Sequence, residues 1–269
     1  MFAAESLGLT LDELPDGWDA ATQLHQLKGR VGPRARALVT ERAVEAVLAR
    51  ARLLLRHGRR PRRQVEAGWP AEGALALDAT LERPRPWKAT DLRVVRSEPR
   101  DVDVVAILDM SLSMTGEKIA LVAVAAAILR LKLDRVGVVA FDTDARTLVP
   151  VGSALGVREL IRRVLLVPAL GYTHIAAGLD EGLAQLRRSG RKERVGLLLS
   201  DGVSNVGADP VSIAGRFPTL HVVQLGRDLP QGGGACRAMA AAGNGRRFHA
   251  PSYVALPEVV RDLVRELFR

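Results

Sequence analysis

Asp109, Ser111 and Ser113 stand at alternate positions in Asp-Met-Ser-Leu-Ser, directly after the apolar run Val104 to Leu108. Three hard oxygen donors this close make a poor nucleophile site and a good seat for a small hard cation. Mg²⁺ prefers near-octahedral oxygen coordination and keeps several waters, so a few carboxylates with hydroxyls are enough protein to hold it. Two further oxygens have candidates at Thr173, in Leu-Gly-Tyr-Thr-His, and at Asp201, in Leu-Leu-Leu-Ser-Asp-Gly. Alone, Asp-x-Ser-x-Ser also reads as an ordinary helix cap. With five such positions in order, the metal reading outweighs it.

Elements that could bring these residues together are visible around them. A continuous apolar run suits a strand covered on both faces, as in a parallel sheet. After Asp109 come a polar loop, Gly116, and apolar residues at helical spacing from Ile119 to Leu133. Asp109 and Asp201 both sit where an apolar strand stops, and ligands in open α/β sheets bind at the carboxyl ends of the strands. From residue 102 onward strands and helices alternate, the pattern of a parallel sheet. Strands are expected at 103–108, 136–141, 146–149, 194–199, 219–225 and near 247–249. Helices are expected near 117–132, 157–165, 175–188, 209–215, 234–242 and 256–268. Asp142-Thr143-Asp144-Ala145 is short enough for a hairpin, which would make the third of these strands an antiparallel edge.

Asp109-x-Ser111-x-Ser113, then Thr173, then Ser200-Asp201-Gly202 resembles the metal-ion-dependent adhesion site of the von Willebrand factor A family. Leu112 stands where that family often has Gly, and Ser200 where it often has Thr. The resemblance covers roughly residues 100–269. It implies a doubly wound, Rossmann-like α/β domain with a mostly parallel sheet and one antiparallel edge strand, and a bound Mg²⁺ or Mn²⁺ completed by a partner's carboxylate. It also implies that the three hydroxyls ligate directly while the aspartates act partly through water. The flanking sequence is similar to bacterial cytoplasmic A-domain proteins, some of them chelatase-like, that work beside MoxR-type AAA+ ATPases. The implied role is a non-enzymatic adaptor for such an ATPase or its client.

Composition sets outer bounds. The chain of 269 residues is 48% hydrophobic and 26% charged, which suits a globular α/β fold and excludes a disordered one. Met1 to Gln23 carries Glu5, Asp12, Glu13, Asp16 and Asp19, so no secretory signal is expected. The longest apolar candidate, Ile119 to Leu133, is broken by Arg130 and Lys132, short of a membrane span. The single cysteine, Cys236, cannot form an intrachain disulfide and reads as a packing residue. These features point to a cytoplasmic protein.

The net charge of +9 is concentrated between Lys28 and Arg63, where twelve Lys and Arg face only Glu41 and Glu45. Residues 1–99 are read as a basic N-terminal region of helices, then extended segments packing on the main domain, and residues 100–269 as that domain. Residues 1–36 carry one or two short helices. From Ala37 a longer helix runs toward Gly58, with Val39, Ala43, Val44, Val47, Leu48 and Ala51 on its apolar side and arginines mainly opposite. Arg59 to Arg63 reads as a stiff connector, and 75–81 and 92–96 as extended segments that pair as a hairpin or extend the sheet. Gly232-Gly233-Gly234 reads as a turn before a helix, and His174 as a neighbour of the metal rim.

Two other functions compete. The basic segment could bind nucleic acid through phosphates, but it has no aromatic residue to stack on bases. A strand-end Asp followed later by Thr and Ser-Asp-Gly also resembles haloacid-dehalogenase-type Mg²⁺-dependent phosphohydrolases. Those place a second Asp where Ser111 stands and a Lys before the last acidic motif, and no Lys follows Lys192 here.

Overall fold

The computed structural model describes residues 14–27, 31–55, 62–99, 102–111, 116–168, 171–228 and 230–267. Its centre is a six-stranded sheet in the order β6-β5-β4-β7-β8-β9. These strands are β4 (Val102–Asp109), β5 (Val136–Phe141), β6 (Ala145–Val149), β7 (Glu193–Ser200), β8 (Leu220–Leu225) and β9 (Arg247–Ala250). All neighbours run parallel except β5 and β6. The expected doubly wound sheet with one antiparallel edge is therefore present, with strand ends within a residue or so of those expected.

Alternation along β4 separates the two cores. Val104, Ala106 and Leu108 join one apolar cluster, Val105 and Ile107 the other. The second is closed by α6 (Ile175–Arg187), α7 (Pro210–Ala214) and α8 (Pro230–Ala242). On the first lie α4 (Glu117–Lys132), α5 (Val157–Leu166) and α9 (Leu256–Leu267). Every residue of α4 from Ile119 to Leu129 is buried. A helix apolar all round needs cover on its outer side too.

That cover comes from α1 (Gly17–Leu27) and α2 (Pro33–Leu54), which pack on each other and on α4. Val39, Ala43, Val44, Val47, Leu48 and Ala51 point inward from α2. The helix begins at Pro33, earlier than the apolar pattern suggests, because a proline at the first helical position costs no hydrogen bond. Gly58 and the connector residues 59–61 lie outside the described residues.

Between α2 and β4 the expectation fails in part. A separate three-stranded antiparallel sheet forms in the order β1-β3-β2, from β1 (Arg62–Gly68), β2 (Ala74–Leu75) and β3 (Arg93–Pro99). Residues 62–63 thus open a strand where a connector was expected. Residues 77–81, read as extended, form the short helix α3 (Leu77–Leu81), since Leu77 and Leu81 also fit helical spacing. Thr80 donates to the Ala76 carbonyl and accepts from the Arg93 N–H, tying α3 to β3.

The arginines of α5 meet α2. Arg162 pairs with Glu41 and Glu159, and Arg158 with Glu45 and Glu41. The Arg162 hydrogen bond, foremost, holds the Glu41 carboxyl below its usual range. The Arg162 and Glu41 side chains are half exposed, so their pair contributes at most about 1 kcal/mol. Glu41→Gln should lower the urea-unfolding free energy by less than about 1 kcal/mol, and less still in high salt. A larger loss would mean that ion pairs rather than the apolar face hold α2 down.

Candidate metal centre

Asp109 closes β4 beside Phe141, whose carbonyl accepts the N–H of Met110 at 2.8 Å. The chain then turns away, and the Asp109 carboxylate makes the turn: Oδ1 accepts the Ser111 N–H at 3.1 Å. Oδ2 accepts the Ser200 hydroxyl at 2.9 Å, and Ser200 Oγ in turn accepts the Gly202 N–H at 3.1 Å. Ser200, at the end of β7, therefore joins the two strand ends that carry Asp109 and Asp201. In the sequence Ser200 is marked only as standing where Thr is common, and nothing there signals its bond to Asp109.

Thr173 reaches the same rim from the loop before α6. Its carbonyl accepts the Asn205 N–H at 2.9 Å and the Ser204 hydroxyl at 3.2 Å, both from the loop after β7. The neighbouring residues are tied the other way, to the β5–β6 turn. The Tyr172 N–H donates to Thr143 Oγ1 at 2.9 Å and the His174 N–H to the Asp142 carbonyl at 2.9 Å. Gly171, at φ +90, passes so close to the Thr143 hydroxyl that no Cβ fits. Asp142 and Asp144 act in that turn as expected: Asp142 Oδ1 accepts the Asp144 N–H at 3.1 Å. The His174 ring bonds to the Thr143 carbonyl at 3.1 Å and lies against Gly207, so it braces the loops rather than facing the rim.

Ser111, Tyr172, Thr173, Asp201, Val203 and Asn205 line one open cleft of about 610 Å³. Three of the five sequence-derived donors thus meet in it, with Asp109 immediately behind Ser111. Ser113 lies outside the described residues. Asp201 is exposed, and its Oδ1 accepts the Val203 N–H at 2.9 Å. Tyr172 and Asn205 belong to the cleft but carry no motif that marks them.

Below Asp201 lies α8. The Gly232-Gly233-Gly234 run is inside this helix, not a turn before it. A Cβ on Gly232 would strike the Asp201 carbonyl, and one on Gly202 (φ +83) would reach within 2.6 Å of Cys236 Sγ. These two glycines let the helix rest directly on the peptide after Asp201. Cys236 is fully buried there, and burial pushes its thiol up to about 12, consistent with an inert packing residue.

The electrostatics fit a cation. Asp109 is 4% exposed, and burial pushes its carboxyl up to about 6 against the opposing hydrogen bonds from Ser111 and Ser200, while the Asp201 charge raises it further. No Lys or Arg among the described residues pairs with Asp109 or Asp201. Two converging carboxylates, one buried and neither neutralised, are costly unless a cation joins them. Among the described residues no group of three or more His, Cys, Asp or Glu forms a metal cluster. Here the donors are all oxygens, carboxylate and hydroxyl, which suits a hard divalent ion.

Residues 104–203 match the family model for the von Willebrand factor type A domain. No curated protein matches the chain. Similar solved structures include an aerotolerance-related membrane protein from Bacteroides fragilis, at 16% identity and TM-score 0.51, covering 62% of this chain and 100% of that one. Proximal thread matrix protein 1 from the mussel byssus, with a zinc-occupied MIDAS motif, is similar at 18% identity and TM-score 0.52, over 61% of this chain and 47% of that one. The pilus adhesin SpaC from Lactobacillus rhamnosus GG gives 16% and 0.51, over 63% and 31%. This chain therefore spans less than half of the latter two. The fold is of von Willebrand factor A type: α/β, with a mostly parallel six-stranded sheet and one antiparallel edge.

Proposed function

We propose that Asp109, Ser111, Ser113, Thr173 and Asp201 hold one divalent cation, Mg²⁺ or Mn²⁺, and that the site binds an acidic side chain of a protein partner. The observation that carries this reading is the pair of unneutralised carboxylates meeting hydroxyls in an open cleft. The zinc-occupied motif of the mussel protein supports it at the level of the shared fold. Once bound, the cation would supply a coordination position for a carboxylate oxygen. Ser111 and Thr173 offer neutral hydroxyls, so the protein contributes few negative charges and leaves room for one from outside. Tyr172, 66% exposed with its N–H bonded to Thr143 Oγ1, offers an aromatic ring at the cleft to whatever flanks that acid.

The same reading makes the protein a non-enzymatic adaptor in the cytoplasm of a bacterium. Its partner would be a MoxR-type AAA+ ATPase or a client of one, as the flanks of the motif suggest. A phosphohydrolase is disfavoured because Ser111 stands where such enzymes carry a second Asp, and no Lys lies between Lys192 and Asp201. Nucleic-acid binding has less support, because no Phe, Tyr or Trp lies between Lys28 and Arg63 to stack on bases. Among the described residues no helix is long and apolar enough to cross a membrane.

Affinity capture with the full chain tests the proposal, in Mg²⁺ and in EDTA, with Asp109→Ala alongside. A partner retained by the parent in Mg²⁺, and at least about tenfold less in the other two arms, is the expected result. Equal recovery in all three would overturn the metal bridge.

A further inference from the structure

The metal cleft leaves the outer side of α2 without a role. Beyond its buried face, α2 carries a second apolar stripe: Leu38, Ala46, Ala49 and Leu53 fall on one side at spacings of eight, three and four residues. That stripe is about 22 Å long at the rise of an α-helix. Leu38 and Leu53 are exposed, Leu53 at 58%. Toward α1 the stripe opens into a groove of about 780 Å³, lined by Trp18, Ala46, Ala49, Arg50, Leu53 and Leu54. Two alanines lower the floor there, with a tryptophan wall on one side and leucines at the far end.

Among the described residues, the charged side chains that line this groove, Arg50 and Arg52, are both positive. Arg42 donates to the Leu14 and Pro15 carbonyls, and Arg50 lies over the Trp18 ring at 4.4 Å. Both are held by neutral groups, and no carboxylate among the described residues cancels their charge. Arg34 and Arg52 likewise have no carboxylate partner among the described residues. Glu41 and Glu45, the acids of the same helix, are spent on Arg158 and Arg162 of α5. The protein thus fixes cations beside an apolar trough and neutralises the nearby acids.

From this we infer that the α1–α2 groove is a second docking site, and that its occupant is an acidic amphipathic helix of a protein partner. Leucine-sized side chains at i, i+3 or i+4 and i+7 would enter over Ala46 and Ala49, and Asp or Glu on the flanks would meet Arg50 and Arg52. Nucleic acid fits less well, because the floor is apolar, formed by Ala46, Ala49 and Leu53. The inference does not depend on the metal reading, which concerns other residues.

The test selects a displayed library of random peptides of about 15 residues, the length of the stripe, on the full chain in EDTA, where a metal site is silent. Enriched peptides are expected to carry acidic residues and apolar ones at helical spacing. The best of them, synthesised, should bind Ala49→Arg and Leu53→Asp at least about tenfold more weakly. Arg50→Gln combined with Arg52→Gln should weaken it severalfold and flatten its salt dependence. Positions 49 and 53 are exposed, and far-ultraviolet circular dichroism confirms that the variants fold. No enrichment, basic or uncharged winners, or undiminished binding to Ala49→Arg would each overturn the inference. So would a DNA duplex that displaces the peptide and loses affinity in the same variants.

Discussion

Asp109→Asn is expected to stabilise the metal-free protein at neutral pH while removing its response to Mg²⁺. The carboxyl of Asp109 is raised from an ordinary 3.8 to about 6, with burial the main cause. Between those values the folded protein binds a proton that the unfolded chain releases, so stability falls as pH rises through that window. Above pH 6 the full cost applies, about 3 kcal/mol at 1.36 kcal/mol per unit. Asparagine removes the charge at the same size: its oxygen can accept the Ser111 N–H, and its amide can donate to Ser200 Oγ once the Ser200 hydroxyl, which gives its proton to Asp109 in the parent, has turned away.

In EDTA at pH 7 the variant should therefore unfold up to about 3 kcal/mol later, with a melting temperature higher by about 2–4 °C for each kcal/mol. Near pH 4 the advantage should vanish as the parent protonates. With Mg²⁺ at a hundred times its dissociation constant the parent should gain about 2.7 kcal/mol and the variant nothing, bringing the two close together. Thermal melts of both proteins across pH, with and without Mg²⁺, give every number. If the variant is the less stable of the two in EDTA at pH 7, the buried charge is not costly and the fit of a cation loses its physical basis. A parent indifferent to Mg²⁺, Mn²⁺ and Zn²⁺ would end the metal reading itself.

This trade-off also explains which parts of the molecule could be read from its residues. The segments 104–108 and 195–199 of the strands ending at Asp109 and Ser200 are unbroken apolar runs, because both faces of the sheet are covered, and a change from apolar to polar marks their ends sharply. That Ser111, Thr173 and Asp201 share one cleft was legible for the same reason: Ser111 and Asp201 closely follow strand ends and Thr173 closely precedes a helix. The bracing around them was not. Thr143 to Tyr172, Asp142 to His174 and Thr173 to Asn205 join loops some thirty residues apart, the last two through backbone groups that any residue carries and the first through the Thr143 hydroxyl.

The N-terminal region shows a different obstacle. β1 was hidden because Arg62 and Arg63 belong to a charge run, although Val65 and Ala67 alternate with Gln64 and Glu66 as an edge strand should. The need for α1 and α2 was in principle visible in α4. A helix with Ala120, Val124 and Ala127 as apolar as its sheet-facing side cannot face water, but periodicity alone does not say what covers it.

Gly232→Ala and Gly234→Ala are expected to act in opposite directions although they lie two residues apart in one helix. Alanine normally gains about 0.5–1 kcal/mol over glycine inside a helix, because glycine loses more backbone entropy on folding. Position 234 should show that gain, since a Cβ there meets nothing within 4 Å. At position 232 the Cβ would enter the space of the Asp201 carbonyl, a backbone atom that cannot swing aside, with Val203 Cγ2 at 3.4 Å behind it. Overpacking of this kind costs about 1–3 kcal/mol, so it outweighs the helix gain. Relief can come only if α8 lifts or the Asp201–Gly202 peptide shifts, and Gly202, held at φ +83 against Cys236, leaves the peptide little freedom. Gly232→Ala should therefore lose Mg²⁺ affinity together with stability, whereas Gly234→Ala keeps its affinity and melts higher. Urea unfolding and Mg²⁺ titration of the two variants decide the matter. If both alanines stabilise the protein and leave Mg²⁺ binding unchanged, the helix does not set the position of Asp201.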